Sequence, residues 1–215
     1  MRIRGYRSGD LRDLYRICRL TGNGGGDATA LYRDPDLLGH IYAAPYGALE
    51  PTLAFVAEDQ AGVGGYCLGA LDTRAFERRM DAGWWPPLRL RYPEPDPADR
   101  DRWTPDELAA HLIHHPWRLD EDLVASYPSH LHINLLPRLQ GRGNGRRLMA
   151  AQLAALRERG SSGVHFHVNA NNRRAVGFYR HLGFSELHAD GTRHIFGMRL
   201  AGLQPEPGPA GSASR

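Results

Sequence analysis

The run from Leu131 to Gly160, LHINLLPRLQGRGNGRRLMAAQLAALRERG, carries an apolar strand into a glycine-rich turn that opens directly onto a helix. That order of elements belongs to an α/β layout and builds an anion site at the joint. Leu131 to Leu136 has strand composition, and Pro137 ends the strand by removing a backbone donor and fixing φ. Gly141, Gly143 and Gly145 then alternate with Arg142, Asn144 and Arg146, and glycine lets main-chain N–H groups approach a ligand with no Cβ in the way. The spacing predicts a helix from Asn144 to Arg159 with Leu148, Met149, Gln152, Leu153 and Leu156 on one stripe. Unpaired N–H groups in its first turn, the positive end of the helix dipole and the nearby Arg142 and Arg146 favour a phosphate or diphosphate there.

What the loop lacks narrows the ligand. A P-loop needs Gly-Lys-Ser/Thr to hold terminal phosphates and magnesium, and this chain contains no lysine. A dinucleotide fingerprint needs G-x-G-x-x-G and a later acidic residue, whereas the spacing here is G-x-G-x-G and the next strand reads Val164-His165-Phe166-His167-Val168. Taken alone, the loop also fits a strand-to-helix turn with no ligand.

Gln140-Gly141-Arg142-Gly143-Asn144-Gly145 resembles the Gln/Arg-x-x-Gly-x-Gly/Ala signature of the GNAT superfamily of acetyl-CoA-dependent N-acetyltransferases. Downstream, Asn169 to Phe184 is similar to that family's Asn-x-x-Ala-x-x-Phe-Tyr-x-x-x-Gly-Phe block, with Asn172, Ala175, Phe178, Tyr179, Gly183 and Phe184 in the matching places. The resemblance implies a mixed α/β fold, a twisted sheet of six to seven strands flanked by helices and splayed between the fourth and fifth strands. It implies acetyl-CoA as cofactor, with the pantetheine arm along Ile133, Leu135, Leu136 and Pro137 and the diphosphate on Gln140 to Arg146. A main-chain N–H near Leu135 would polarise the thioester carbonyl, Tyr179 would be the general acid beside the sulfur, and Asn172 would lie near the cofactor while also suiting a helix N-cap. Asn134 stands where relatives often carry aspartate. With Asn134 in that catalytic position, an amide being no general base, the resemblance implies either slow turnover or another base such as His132, Asp27 or a chain of waters.

The remaining segments agree with that fold. Arg2 to Tyr6 reads as a strand, followed by a helix with Ser8 or Asp10 as N-cap and Leu11, Leu14, Tyr15 and Cys18 on one face. Thr52 to Glu58 and Gly64 to Leu71 read as a hairpin through Asp59 to Gly62, and Gly183 to His188 with His194 to Leu200 as a closing pair. Ile17 to Gly22, Asp34 to Gly39, Ala44 to Tyr46 and Gly65 to Gly69 resemble the acetyltransferase-like C-terminal domain of animal O-GlcNAc hydrolases and its free-standing bacterial relatives. The glycine loop is degenerate in the animal domain and intact here. The resemblance therefore implies a bacterial-type enzyme transferring acetyl to a small-molecule, peptide or protein amine, with a catalytically inactive acyl-CoA-binding module as the alternative; relatives often form homodimers.

A domain over residues 1–203 is expected, with Gln204 to Arg215 as a disordered tail rich in Pro, Gly and Ser. No apolar run is long enough to span a membrane, the opening Met1 to Tyr6 is not a leader, and only Cys18 and Cys67 are present, so the expectation is a soluble cytoplasmic protein without disulfides. The net charge is only +3, from 27 arginines against 24 acidic residues, and the signs are interspersed, which does not call for nucleic acid. The connection 72–130 is unusually long. Within it Thr104-Pro105-Asp106-Glu107 announces a helix, and Trp84 and Trp85 either wall an acceptor site or pack the insertion onto the sheet. Three histidine groups, His130 with His132, His165 with His167, and His111, His114 and His115, show no acidic or cysteine partner at metal-ligand spacing, so no metal is expected.

Overall fold

The first strand, Arg2–Gly5 (β1), leads through a single 3-10 turn into the helix Leu11–Leu20 (α1). In this computed structural model, which describes residues 1–200, the turn is built differently from the N-cap expected of Ser8 or Asp10. The Asp10 carboxylate turns back instead, accepting from the Arg7 amide at 2.8 Å and from two Arg4 nitrogens at 2.7 and 2.9 Å. A bidentate guanidinium outcompetes a single helix N–H for it. The inner face of α1 is Leu14, Ile17 and Cys18, while Leu11, expected inside, is exposed at the first helical position. The tail expected from Gln204 onward lies outside the described residues.

Two short helices, Leu37–Tyr42 (α2) and Ala44–Leu49 (α3), precede the hairpin Ala54–Asp59 (β2) and Gly62–Ala70 (β3). The turn falls where Asp59 to Gly62 was expected, with Gly62 at φ +89. Next come Thr73–Arg79 (α4), continued through a π-helical turn into Trp85–Arg91 (α5), then Pro105–His114 (α6) and Glu121–Ser126 (α7). The C-terminal part comprises Ser129–Leu135 (β4), Asn144–Glu158 (α8), Gly163–Asn169 (β5), Arg173–His181 (α9), Ser185–Ala189 (β6) and Arg193–Arg199 (β7). The strands form one seven-stranded sheet in the order β1-β2-β3-β4-β5-β7-β6. Every pairing is antiparallel except β4 with β5, the two strands joined by the α8 crossover.

The parallel pair is short. Only Ser129 with Val164 and His130 with His165 are in register, and beyond them the strands part. Because side chains alternate across a strand, Leu131 faces the core built from α8, α9, Val164 and Phe166, while its neighbours His130, His132 and Asn134 face the side covered by α1 to α6. Gly69 fixes how closely α8 lies on the sheet, since a Cβ there would stand 2.1 Å from the Gln152 amide nitrogen.

The insertion is part of the core. Phe76, Met80, Trp85, Leu88, Ala109 and Ile113 are buried with α1 and β3, and Trp84 donates its indole N–H to His40 O at 2.9 Å. The expected capping box is present: Thr104 Oγ1 accepts from the Glu107 amide at 3.3 Å and the Glu107 carboxylate accepts from the Thr104 amide at 2.7 Å. Deleting residues 74–92 removes four of those side chains, each contributing about 1.5–3 kcal/mol by burial, against a typical total stability of roughly 5–15 kcal/mol. The expected outcome is loss of cooperative thermal unfolding, read by near-ultraviolet circular dichroism. Among the described residues, no helix is long and apolar enough to cross a membrane, and Cys18 and Cys67 are buried free thiols.

Candidate functional site

The glycine loop takes a shape that few residues tolerate. Gly141, Arg142 and Gly143 follow one another at φ +76, +51 and +72, a left-handed run that turns successive amides to one side. The amides of Leu139, Gln140, Asn144 and Arg147 are taken by main-chain carbonyls, whereas those of Gly141, Arg142, Gly143, Gly145 and Arg146 have no acceptor among the described residues. Five orphan donors at the start of a 15-residue helix, with the exposed Arg142 and Arg146 beside them, make a seat for a diphosphate.

Other residues of the motif hold that seat rather than line it. Gln140 Nε2 donates to Leu135 O at 2.9 Å, and its Oε1 accepts from Arg174 of α9 at 2.6 Å, which ties the loop to the edge of β4. The Asn144 side chain is buried, donating to Leu139 O at 2.9 Å and accepting from Arg147 at 2.5 Å. Leu136 gives its amide to Gly64 O and its carbonyl to the Leu139 amide, and Pro137 O accepts from the Gln140 amide, so both shape the turn.

That Leu136 bond also fixes the phase of the strand. In an antiparallel ladder alternate residues turn both peptide groups to the same neighbour, so with Leu136 facing β3 the peptide groups of Ile133 and Leu135 face the opened edge. Ile133 N–H and C=O and the Leu135 N–H are thereby left for a partner lying in the splay.

The cleft behind that edge encloses about 480 Å³ and is lined by Ile133, Asn134, His132, His167, Asn172 and Tyr179, among others. Tyr179 is 7% exposed, its ring clamped by Phe166, Phe178, Phe184 and Phe196 at centroid distances of 4.4 to 6.1 Å. Its phenol has no hydrogen-bond partner among the described residues and is not sealed from the cleft. Burial raises its pKa, so it stays protonated. Asn172 caps α9 by accepting from the Ala175 amide at 3.1 Å, and its amide nitrogen packs on Gly25, where a Cβ would lie 3.1 Å away.

Asn134 is a brace. Thr21 Oγ1 gives its hydrogen to Ile17 O at 2.7 Å, so it must accept at 2.5 Å from Asn134 Nδ2. An aspartate at 134 has no hydrogen to offer that oxygen. Asn134→Asp is expected to lower stability by about 1–2 kcal/mol, measured by urea titration, without raising turnover.

Among the described residues lining the cleft there is no carboxylate. Asp27, considered as a base, is exposed and holds the Thr29 amide at 2.8 Å. Burial drives the His132 pKa down to about 3, with His167 and His165 adding to the effect, while the His167 side chain is exposed.

The sequence reading missed two groups. Thr21 to Gly25 bends around Asn172 to close one wall, and the signal was the cluster Gly22, Gly24, Gly25 and Gly26 after α1. Glu94 was missed as well. It brings a carboxylate oxygen to His111 of α6 and to His115 just beyond that helix, so that Glu94, His111 and His115 place ligand atoms within 4.8 Å of one another, an acidic partner that the sequence spacing did not show. Glu94 hydrogen-bonds His115 across a loop that no local spacing could reveal.

The profile of the acetyltransferase (GNAT) family matches residues 78–184. The crystal structure of SsHAT is 43% identical, superposes with a TM-score of 0.86, and is matched over 94% of this chain and 98% of that one. The chain belongs to the GNAT acetyltransferase family. The curated relatives include rat protein O-GlcNAcase, 27% identical over 185 residues, which is 86% of this chain and 20% of that protein. Mycothiol acetyltransferase of Rhodococcus erythropolis is 31% identical over 131 residues, 59% of this chain and 38% of the relative. The chain thus spans about a fifth of the O-GlcNAcase it matches. The fold is shared with yncA of Salmonella typhimurium, whose structure holds its cofactor acetyl-CoA (13% identity, TM-score 0.54, 97% of this chain and 98% of that one). Family membership supports acetyl transfer in general.

Proposed function

We propose that this protein transfers an acetyl group from acetyl-CoA to an amine acceptor by direct attack with both substrates bound. The observation that carries the reading is the coincidence, around one opened strand edge, of five orphan amides, unpaired peptide groups on Ile133 and Leu135, and a partnerless protonated phenol. These fit the three parts of the cofactor: diphosphate, amide-bearing arm and thioester.

Acetyl-CoA supplies the acetyl group in activated form, as a thioester. The free amides of Gly141, Arg142, Gly143, Gly145 and Arg146, with the Arg142 and Arg146 side chains, bind the diphosphate, and the Ile133 peptide pairs with the arm as a missing strand would. The Leu135 N–H is a fixed donor for the carbonyl oxygen on which charge develops. Tyr179 holds its proton at the phenol oxygen for the departing thiolate. Asn172 and Asn134 keep the glycine-rich wall and α1 in place and so exclude water from the reacting atoms.

A second reading is favoured by one observation, the cleft's lack of a carboxylate: a module that binds acyl-CoA without turnover. Thiol release from acetyl-CoA over a panel of amines, run beside calorimetric titration of coenzyme A, separates the two. Turnover with any amine supports transfer, tight binding without turnover supports the module, and absence of binding removes both.

A further inference from the structure

A second cavity of about 310 Å³ opens off the cleft on the side of the sheet covered by the insertion. The two share Tyr42, Leu131, His132, Phe166, His167 and Arg193, so they are continuous at the mouth of the splay. The walls are rich in aromatic rings, with Glu77 and Arg118 also among the lining residues. Tyr46 stacks on Phe76 at 4.7 Å, and Trp117 stands edge-on to His167 at 5.1 Å with the Arg193 guanidinium 4.1 Å over its other side.

The floor is polar in a specific sense. His165 Nδ1 lies 2.7 Å from Tyr127 O, and a carbonyl only accepts, so that nitrogen carries the hydrogen. His130 Nδ1 lies 2.8 Å from Thr73 Oγ1, whose own hydrogen goes to Pro128 O at 2.8 Å, so here too Nδ1 is the donor. In both neutral rings Nε2 is therefore a fixed acceptor. Neither Nε2 has a hydrogen-bond partner among the described residues, and neither is sealed from the cavity. Both lone pairs are open to the cavity and can accept a hydrogen from an O–H or N–H group placed there. The four rings do not converge as a metal site, since the only group of ligand atoms close enough among the described residues is the distant Glu94, His111 and His115.

We propose that this cavity takes the acceptor's body, and that the acceptor is an aromatic amine whose ring carries an uncharged hydrogen-bond donor, a phenol O–H or an indole N–H. The proposal rests on the acetyl-transfer reading for the amine end and on the cavity alone for the ring end. The floor pair His130 and His165 lies two residues along the strands from the mouth pair His132 and His167, which is about 7 Å, the span of a ring and a short side chain. A ring seated between Tyr46, Phe76 and Trp117 donates to Nε2 of the floor pair and presents its amine to the mouth pair. Burial holds His130, His132 and His165 below the ordinary imidazole value, which preserves the floor lone pairs as acceptors.

The test compares tyramine with phenethylamine and tryptamine with 1-methyltryptamine, measuring affinity for the coenzyme A complex by calorimetry and, separately, thiol release from acetyl-CoA. The donor-bearing member of each pair is expected to bind at least about tenfold tighter, and His165→Phe, which keeps a ring but removes Nε2, is expected to erase the difference. The ligand pairs need no variant, so a His165→Phe that fails to fold leaves the wild-type comparison decisive. Equal affinities within both pairs overturn the proposal, even if thiol release shows that amines are acetylated. A clear preference with no thiol release from any amine supports the ring site and removes the acetyl-transfer reading instead.

Discussion

Gly143→Val is expected to lower the affinity for coenzyme A by about 100-fold while leaving the fold intact. Gly143 stands at φ +72, and a Cβ added there would meet nothing within 4 Å, so the substitution acts through the backbone and not through a clash. A β-branched residue in the left-handed region costs roughly 1–2 kcal/mol, well below the stability of a domain of this size. The chain relieves that strain by rotating the Arg142–Gly143 peptide unit, which carries the free Gly143 amide, and the neighbouring free amides of Arg142 and Gly145 shift with it. Misdirecting two hydrogen bonds to a charged group, each worth about 1.5–3 kcal/mol, corresponds to about two powers of ten or more in affinity. Calorimetry gives the affinity and the melting temperature reports the fold. Gly143→Ala should lie between valine and the parent. Undiminished binding by the valine variant would remove the loop from the cofactor site.

Much of this arrangement was legible in the sequence because its causes are local. Pro137 stops β4, alternating glycines make the left-handed turn, and the stripe of Leu148, Met149, Gln152 and Leu156 buries α8 on the sheet. Each rests on a backbone rule that reads the same in any context. The splay was expected through family resemblance, and its physical mark is a register that ends after His130 and His165.

What the sequence did not disclose depends on contacts between distant segments. Asn134 looked like a failed base because only its strand neighbours were in view; its role is set by Thr21, 113 residues earlier. Gln140 and Asn144 read as ligand contacts because they sit in the motif, yet their side chains bond Leu135 O and Leu139 O. The tautomers of His130 and His165 are decided by Thr73 and Tyr127, which come from the helix-rich insertion. Of the two roles open to the tryptophans, the structure shows packing: Trp85 is buried in the core, and it also lines the second cavity, which is the proposed acceptor site. A spacing rule sees one segment at a time, and these properties belong to pairs.

Tyr179→Phe is expected to reduce turnover by about 100-fold or more with little change in the KM for acetyl-CoA. The substitution should be close to neutral for stability, because the phenol has no hydrogen-bond partner among the described residues and its removal orphans nothing. The four surrounding aromatic rings hold phenylalanine as they hold tyrosine. The pH profile gives the more specific reading. A general acid works in its protonated form, which is present below its pKa, and burial raises this pKa above the ordinary 10. The parent rate should therefore climb with pH as the acceptor amine loses its proton and fall only beyond pH 10. The phenylalanine variant should keep the rise and lose the fall, since it retains the cleft's other titrating groups, Cys18, Tyr32, Tyr42, Tyr66, His132 and His167, and lacks only the phenol. A turnover within twofold of the parent, or a descending alkaline limb that survives the substitution, would place the proton donor elsewhere. Water reaching the leaving thiolate through the mouth shared by the two cavities would then be the remaining source.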